Sequence, residues 1–228
     1  MAELTAREAA KLIDHTNLHA DATMADIDRL CAEAAEYGFG AVCVNSAKVH
    51  RAAQLLAGTG VGVGATVAFP LGQTTTSIKV AEALDAIGNG ATEIDYVINV
   101  GHARDGRYDL ISDEMASIVE ACHEEGALVK VIFENCYLNQ DEKARLCIVA
   151  SSVKPDFVKT STGFGSGGAT LEDVRYMRAH VPPEVQVKAA GGIRGWEAAR
   201  AMIEAGATRL GTSSGVKIIS EMKAAGLK

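Results

Sequence analysis

Strand-like and helix-like segments alternate along the whole chain, and this repeat constrains the fold more than any other feature. Short runs rich in β-branched residues are each followed by a stretch with apolar residues at helical spacing, as in residues 27–34. Gly38, Gly126 and Gly206 stand where such helices are expected to end. The predicted strands cover residues 12–14, 40–45, 61–67, 93–100, 128–133, 156–159, 185–188 and 207–210.

The number and length of these units indicate a closed barrel. Eight units in 228 residues give about 28 residues per unit, and no linker or shift in composition divides the chain. Alternating strands and helices predict a parallel sheet covered by helices. We therefore predict an α/β fold, a (β/α)8 TIM barrel rather than an open doubly wound sheet, with residues 1–228 as one domain. Functional side chains are expected at the C-terminal ends of its strands.

Composition and charge exclude several classes of protein. The chain is 48% hydrophobic and 22% charged, as globular proteins are, and its net charge is −7 without a basic run. A nucleic-acid partner is therefore not expected. No run approaches the roughly 18 apolar residues that cross a bilayer, and the first residues lack the pattern of a secretion signal, so no membrane partner is expected.

The cysteines and histidines predict neither disulfides nor a metal site. The five cysteines are odd in number and never form a C-x-x-C pair, which is typical of a reducing cytoplasm. His15 and His19 follow a predicted strand, so they are not a helical ligand pair, and the other histidines are scattered. Cys43 ends a predicted strand, either as a small core residue or at the barrel mouth.

Two lysines end consecutive predicted strands. Lys159 ends residues 156–159 and Lys188 ends residues 185–188, one repeat later. Equivalent positions on adjacent strands lie about 4.8 Å apart, so the two ammonium groups would be crowded together. Like charge and burial both lower the pKa of a lysine, and a neutral lysine can form a Schiff base with a carbonyl substrate. The alternative is that both lysines bind an anion.

Further charges fall within the apolar runs. Asp95 and Lys130 lie in neighbouring predicted strands, and burial would require them to pair. This pair is either structural or part of a proton relay. Asp14 and Thr16 bring a carboxylate and a hydroxyl to the same rim as candidate substrate ligands, although Asp14 could instead cap a helix or turn. Lys130 is a further candidate substrate ligand.

Glycines gather after the last three predicted strands. Exposed N–H groups, serine hydroxyls and an arginine suit a phosphate dianion there, while tight turns would also explain the glycines. The candidate phosphate ligands are Gly163, Gly191, Gly192, Arg194, Ser213 and Ser214. Residues 163–168 also match G-x-G-x-x-G. A dinucleotide site would need an acidic residue at the end of the next strand, where Lys188 stands, so a nicotinamide cofactor is not expected.

Seven segments stand in order at consecutive predicted strand ends. They are Ile13-Asp14-His15-Thr16, Val42-Cys43-Val44, Glu93-Ile94-Asp95, Lys130-Val131-Ile132, Phe157-Val158-Lys159-Thr160-Ser161-Thr162-Gly163, Val187-Lys188-Ala189-Ala190-Gly191-Gly192-Ile193-Arg194 and Gly211-Thr212-Ser213-Ser214. Together they resemble the deoxyribose-phosphate aldolase family, nearly from end to end of the chain.

The resemblance implies a cofactor-independent lyase on a (β/α)8 barrel. Such an enzyme reversibly cleaves 2-deoxy-D-ribose 5-phosphate to glyceraldehyde 3-phosphate and acetaldehyde, in deoxyribonucleoside catabolism. The resemblance also implies that Lys159 forms the Schiff base, that Lys188 lowers its pKa, and that Asp95 beside Lys130 organises proton transfer. The expected partners are a small phosphosugar and further copies of the chain, in a dimer or tetramer.

Two positions depart from the family pattern, and two other functions compete with it. Phe164 replaces a lysine that some members carry, which removes a cation facing the phosphate, and Gly195-Trp196 replaces a hydroxyl residue at a helix start. One competing function is a different phosphosugar enzyme, an isomerase or another aldolase. The other is a phosphate-binding barrel without activity, which has no need for two lysines and a buried aspartate together.

Overall fold

Eight parallel strands close into a barrel within residues 4–227, the part of the chain that the computed structural model describes. The strands are β1 (Ile13–Asn17), β2 (Ala41–Asn45), β3 (Gly62–Val67), β4 (Glu93–Val97), β5 (Leu128–Ile132), β6 (Phe157–Lys159), β7 (Gln186–Ala190) and β8 (Arg209–Thr212). Each strand pairs in parallel with the next, and β8 pairs with β1, Gly211 opposite Asp14. The predicted (β/α)8 TIM barrel is confirmed.

Helices connect the strands and cover the outside of the barrel. They are α1 (Ala6–Lys11), α2 (Met24–Tyr37), α3 (Val49–Leu56), α4 (Thr76–Gly88), α5 (Val100–Arg104), α6 (Tyr108–Glu124), α7 (Gln140–Val153), α8 (Leu171–His180), α9 (Trp196–Glu204) and α10 (Gly215–Ala224), with 3-10 turns at Ser46–Lys48 and Asn135–Tyr137. Local sequence sets several of their ends: Thr23 and Asn139 form capping boxes, and Gly38 ends α2 in the left-handed conformation, φ 67°. No helix in residues 4–227 is long and apolar enough to cross a membrane.

The main hydrophobic core lies between the strands and the helices. On β4, Ile94 and Tyr96 are fully buried on the side opposite Asp95, because successive side chains of a strand point to opposite faces. They belong to one apolar cluster with Ile111 and Met115 of α6. The inner face of β4 is thereby free to carry charge.

Several predicted strand ends are wrong, including that of the first strand, which continues from residue 14 to Asn17. The strand predicted at 93–100 stops at Val97, because Asn99 accepts a hydrogen bond from the His102 N–H (3.2 Å) and starts α5. The strands predicted to end at residues 188 and 210 continue to Ala190 and Thr212. A Cβ at position 211 would lie 3.0 Å from the Cβ of Ala190, so this glycine permits close strand pairing rather than a turn.

Candidate active site

The two lysines predicted at consecutive strand ends are partners in the barrel. Lys159 on β6 stands opposite Lys188 on β7 in the parallel register. Both point into the barrel and are buried, Lys159 with 3% and Lys188 with 0% of their surface exposed. Their placement follows from the parallel ladder, which aligns residues one repeat apart.

Asp95 forms hydrogen bonds with both lysines. Its Oδ2 lies 2.7 Å from the Nζ of Lys159 and 2.7 Å from the Nζ of Lys188. Its Oδ1 accepts a hydrogen bond from the Nζ of Lys130 at 2.7 Å. The structure therefore contains the Asp95–Lys130 contact that the sequence predicts, and it adds both other lysines to the same carboxylate.

A second layer of charges continues toward the other end of the barrel. Asp14 accepts a hydrogen bond from Lys188 through Oδ2, and its Oδ1 lies 2.6 Å from Nη1 of Arg209. Glu93 lies 2.5 Å from Nζ of Lys130 and 3.2 Å from Arg209. Sequence reasoning missed Glu93 and Arg209, although each is a charged residue in an apolar strand, the signal that revealed Asp95 and Lys130.

These contacts shift the pKa values of Lys159 and Lys188 in opposite directions. Burial lowers the pKa of Lys159, and the nearby charge of Lys188 lowers it further against the opposing effect of Asp95. Burial alone would also lower the pKa of Lys188, but Asp14 and Asp95 outweigh it and raise that pKa. Lys159 is thus the lysine favoured to be neutral, and Lys188 the one favoured to be charged.

The surrounding positive charges lower the pKa values of Asp95 and Asp14 and so favour their ionised forms. Burial would raise the pKa of Asp95, but Lys130, Lys159 and Lys188 hold it well below the ordinary value. The pKa of Asp14 falls to about 2 because Lys188, Lys130 and Arg209 outweigh burial. Among residues 4–227 the network holds four basic side chains and three carboxylates, so a neutral Lys159 balances its charge.

A cavity of about 310 Å³ opens above Lys159 at the C-terminal end of the barrel. The predicted substrate-binding residues that line it are Thr16, Gly163, Gly191, Gly192, Arg194 and Ser213. Asp14 and Lys130 lie below it, in the charged network. Ser214 is the N-cap of α10, and its N–H donates a hydrogen bond to Thr212 Oγ1 (2.9 Å). The cavity therefore places Lys159 in the same space as the glycines after β6 and β7.

Other residues at the cavity were not predicted as ligands. Leu18, His19 and Thr162 also line it. Leu18 and His19 lie beyond the predicted end of the first strand. The expectation that functional side chains stand at strand ends therefore did not select them. Cys43 is buried close to the lysines, and burial raises the pKa of its thiol, which favours the protonated form.

The glycine-rich loop after β6 has a packing explanation. A Cβ at Gly165 would lie 2.8 Å from Sγ of Cys136, and one at Gly168 would lie 2.4 Å from the carbonyl oxygen of Gly191. The loop therefore needs glycines in order to pack against the ends of its neighbours. The G-x-G-x-x-G match reflects this close approach.

An unexpected contact replaces the side-chain cap that α9 lacks. Gly195 precedes this helix, and the N–H of Trp196 donates a hydrogen bond to Oε2 of Glu221 on α10 (2.6 Å). Thr212 also donates a hydrogen bond to the carbonyl of Ile193 (2.6 Å). The loop after β7 is therefore attached to the end of β8 and to α10.

Comparison with known proteins identifies the family. Residues 8–221 match the model of the DeoC/LacD family aldolases. The chain belongs to this family. As a DeoC/LacD aldolase it is an enzyme of the lyase class, and the lysine network lies where the active site of a TIM barrel is expected.

Relatives of this DeoC/LacD aldolase extend over nearly its whole length. The deoxyribose-phosphate aldolase of Lactobacillus acidophilus is 53% identical over 219 residues, which cover 96% of this chain and 92% of the relative. That of Thermococcus gammatolerans is 55% identical over 214 residues, covering 93% and 95%. The tetrameric deoxyribose phosphate aldolase from Aeropyrum pernix superposes with a TM-score of 0.91 at 32% identity, covering 98% of this chain and 94% of that one.

Proposed function

We propose that this aldolase cleaves 2-deoxy-D-ribose 5-phosphate reversibly to glyceraldehyde 3-phosphate and acetaldehyde through a Schiff base on Lys159. The observation that carries the proposal is the position of Lys159. It is the one lysine lining the cavity of about 310 Å³ within residues 4–227, and burial beside Lys188 lowers its pKa. The activity named for the relatives supports the choice of substrate.

The reaction begins with attack of neutral Lys159 Nζ on the C1 aldehyde of the open-chain sugar. Loss of water from the carbinolamine gives an iminium ion, which withdraws electrons from the C2–C3 bond. Removal of the C3 hydroxyl proton breaks this bond and releases glyceraldehyde 3-phosphate. The remaining enamine is protonated at C2, and hydrolysis of its iminium frees acetaldehyde and Lys159.

Asp95 and Lys188 are suited to organise these proton transfers. Asp95 Oδ2 is within 2.7 Å of Lys159 Nζ, so a carboxylate and a charged ammonium lie beside the reacting nitrogen. Lys130 fixes the other oxygen of Asp95. In this role the network keeps Asp95 ionised and Lys188 protonated, while Lys159 changes its charge during the cycle.

The phosphate would be held by the loops after β6, β7 and β8. Gly163, Gly191 and Gly192 line the cavity with positive φ angles of 90°, 88° and 82°, a conformation that favours glycine, and no side chain separates their backbone from a ligand. Arg194 and Ser213 line the same cavity and add a positive charge and a hydroxyl. Backbone N–H groups near a helix N-terminus commonly bind such dianions.

A direct assay tests the proposal. Purified protein is incubated with 2-deoxyribose 5-phosphate, and acetaldehyde and glyceraldehyde 3-phosphate are measured in equal amounts. Lys159→Met should abolish cleavage, whereas Lys223→Met on the exposed surface of α10 should leave it unchanged. Isomerisation of a phosphosugar without cleavage, or full activity of Lys159→Met, would overturn the proposal.

We also propose that the protein forms a homo-oligomer and is located in the cytoplasm. The relative from Aeropyrum pernix is a tetramer, which supports a homo-oligomer, a dimer or tetramer, for this chain. Light scattering after size-exclusion chromatography would reveal it, and a monomer at micromolar concentration would contradict it. All five cysteines are free, which supports a reducing, cytoplasmic location.

A further inference from the structure

Glu134 is a buried carboxylate outside the lysine network. It follows β5 and has 2% of its surface exposed. Its backbone is left-handed, with φ 56° and ψ 61°, a conformation that costs energy for a residue with a side chain. A strained residue of this kind persists only where surrounding contacts hold it, so its partners indicate its role.

Those partners belong to the segment that follows Lys159. The carboxylate oxygens of Glu134 accept the backbone N–H of Thr162 at 3.2 and 3.3 Å, and Oε2 also accepts the hydroxyl of Thr162. The Oγ1 of Thr162 in turn accepts the N–H of Phe164 at 3.0 Å. Glu134 thus fixes the direction of the chain three residues after Lys159.

The neighbouring turn supports the same segment. The N–H of Asn135 donates a hydrogen bond to the carbonyl of Thr160 (3.0 Å). Gly165 packs so closely that a Cβ there would lie 3.2 Å from Cδ of Glu134. The loop after β6 is therefore shaped against the loop after β5, with the Glu134 carboxylate at the point of contact.

The segment fixed in this way forms one wall of the substrate cavity. Thr162, Gly163 and Phe164 all line the cavity that contains Lys159. Lys159 itself is held separately, because it pairs with Lys188 in the sheet and the N–H of Thr160 donates to the Lys188 carbonyl (3.1 Å). Displacement of the wall therefore need not displace the lysine.

We propose that Glu134 is a positioning residue, which acts through Thr162 to hold the Gly163–Phe164 wall in place for the phosphate end of the substrate. The proposal rests on the proposed function, since it assigns the phosphate to this part of the cavity. A carboxylate is needed because it accepts both the N–H and the O–H of Thr162. A glutamine accepts through one oxygen only, so its NH2 group would either face the N–H of Thr162 or occupy the position to which the hydroxyl donates.

Steady-state kinetics of single variants test this role. Because the lost hydrogen bonds involve a charged group, Glu134→Gln should lower kcat/KM for 2-deoxyribose 5-phosphate by roughly tenfold or more, mainly through KM. The unphosphorylated sugar should lose less than about threefold, because Lys159 keeps its place. Thr162→Val should behave like Glu134→Gln, and Thr162→Ser, which keeps the hydroxyl, should restore most of the activity.

A double-mutant cycle separates positioning from general damage. Adding Thr162→Val to Glu134→Gln should cost little more than either change alone, because both remove the same contact. Equal losses on both substrates in both single variants, or wild-type KM values in both, would overturn the proposal. Thr162→Val keeps the test decisive if Glu134→Gln does not fold.

Inorganic phosphate distinguishes failure of this inference from failure of the proposed function. If the wild-type protein does not cleave 2-deoxyribose 5-phosphate, the proposed function fails. Calorimetric titration of the wild type and Thr162→Val with inorganic phosphate then still tests the wall, since weaker binding by Thr162→Val supports the positioning role. Equal binding by the two proteins would overturn it.

Discussion

Lys159 and Lys188 contact the same carboxylate oxygen, since the Nζ atoms of both lie 2.7 Å from Oδ2 of Asp95. One oxygen bridges two basic groups in a buried site, and of the two lysines only Lys188 has a second carboxylate partner among residues 4–227, Asp14. The difference explains why the pKa of Lys159 is lowered while that of Lys188 is raised. The asymmetry supports the different chemical roles proposed for the two lysines.

Borohydride should trap a covalent adduct on Lys159. Reduction in the presence of acetaldehyde converts the Schiff base to a stable secondary amine, so intact mass should rise by one ethyl group and peptide mapping should place it on Lys159. Lys159→Met should give no adduct under the same conditions. An adduct confined to Lys188 would reverse the assignment of the two lysines.

Lys188→Leu should raise the pKa that governs activity. Removal of the positive charge makes protonated Lys159 easier to retain, and it leaves Asp95 with one cation fewer to neutralise. With neutral Lys159 as the proposed nucleophile, activity should appear as pH rises through this pKa, and the acidic limb of the kcat/KM profile should move to higher pH. A shift of two pH units corresponds to about 2.7 kcal/mol.

The pH profile also distinguishes two roles for Lys188. If the acidic limb of the kcat/KM profile of Lys188→Leu stays at the same pH and only KM rises, Lys188 binds substrate and does not lower the pKa of Lys159. Circular dichroism should accompany the profile, because the variant leaves Asp14 and Asp95 less well compensated in a buried site.

Ser213→Asp should weaken use of the phosphorylated substrate selectively. Ser213 lines the cavity at the end of β8, so a carboxylate there would repel a phosphate dianion. We expect a loss of about ten- to hundredfold in kcat/KM for 2-deoxyribose 5-phosphate, at roughly 1.4 kcal/mol per tenfold, and a much smaller loss for 2-deoxyribose. Ser220→Asp on the exposed part of α10 is the matched control. Equal losses on both sugars would place the phosphate elsewhere.

The buried pair between α4 and α6 should be replaceable by apolar residues. Lys79 Nζ lies 2.8 Å from Glu114 Oε2, and burial lowers the pKa of Lys79 and raises that of Glu114. Glu114→Leu alone should lower the free energy of unfolding by about 3–5 kcal/mol, because it leaves a buried charge unpaired. Lys79→Met combined with Glu114→Leu should recover most of this loss in denaturant unfolding. A double variant less stable than the single one would show that the ion pair itself is stabilising.

The sequence predicts most of the fold because the barrel repeats one local pattern, a strand followed by a helix. Each strand and helix has its own periodicity, and the number of units selects the closed sheet. The errors occur at strand ends, where a cap such as Asn99 or a tightly packed glycine such as Gly211 decides the boundary. These contacts depend on neighbouring segments, which a single-segment pattern does not contain.

The candidate site likewise has some features that the sequence predicts and others that only the tertiary structure sets. Parallel pairing aligns residues one repeat apart, so the sequence by itself determined that Lys159 and Lys188 would be neighbours and that Asp95 would face Lys130. Only the tertiary structure decided that Asp14, Glu93 and Arg209 complete the network, and that Glu134 holds the loop after Lys159. The physical reason is that these contacts depend on side-chain direction and loop conformation, which are set when distant segments pack and not by the period of any one of them.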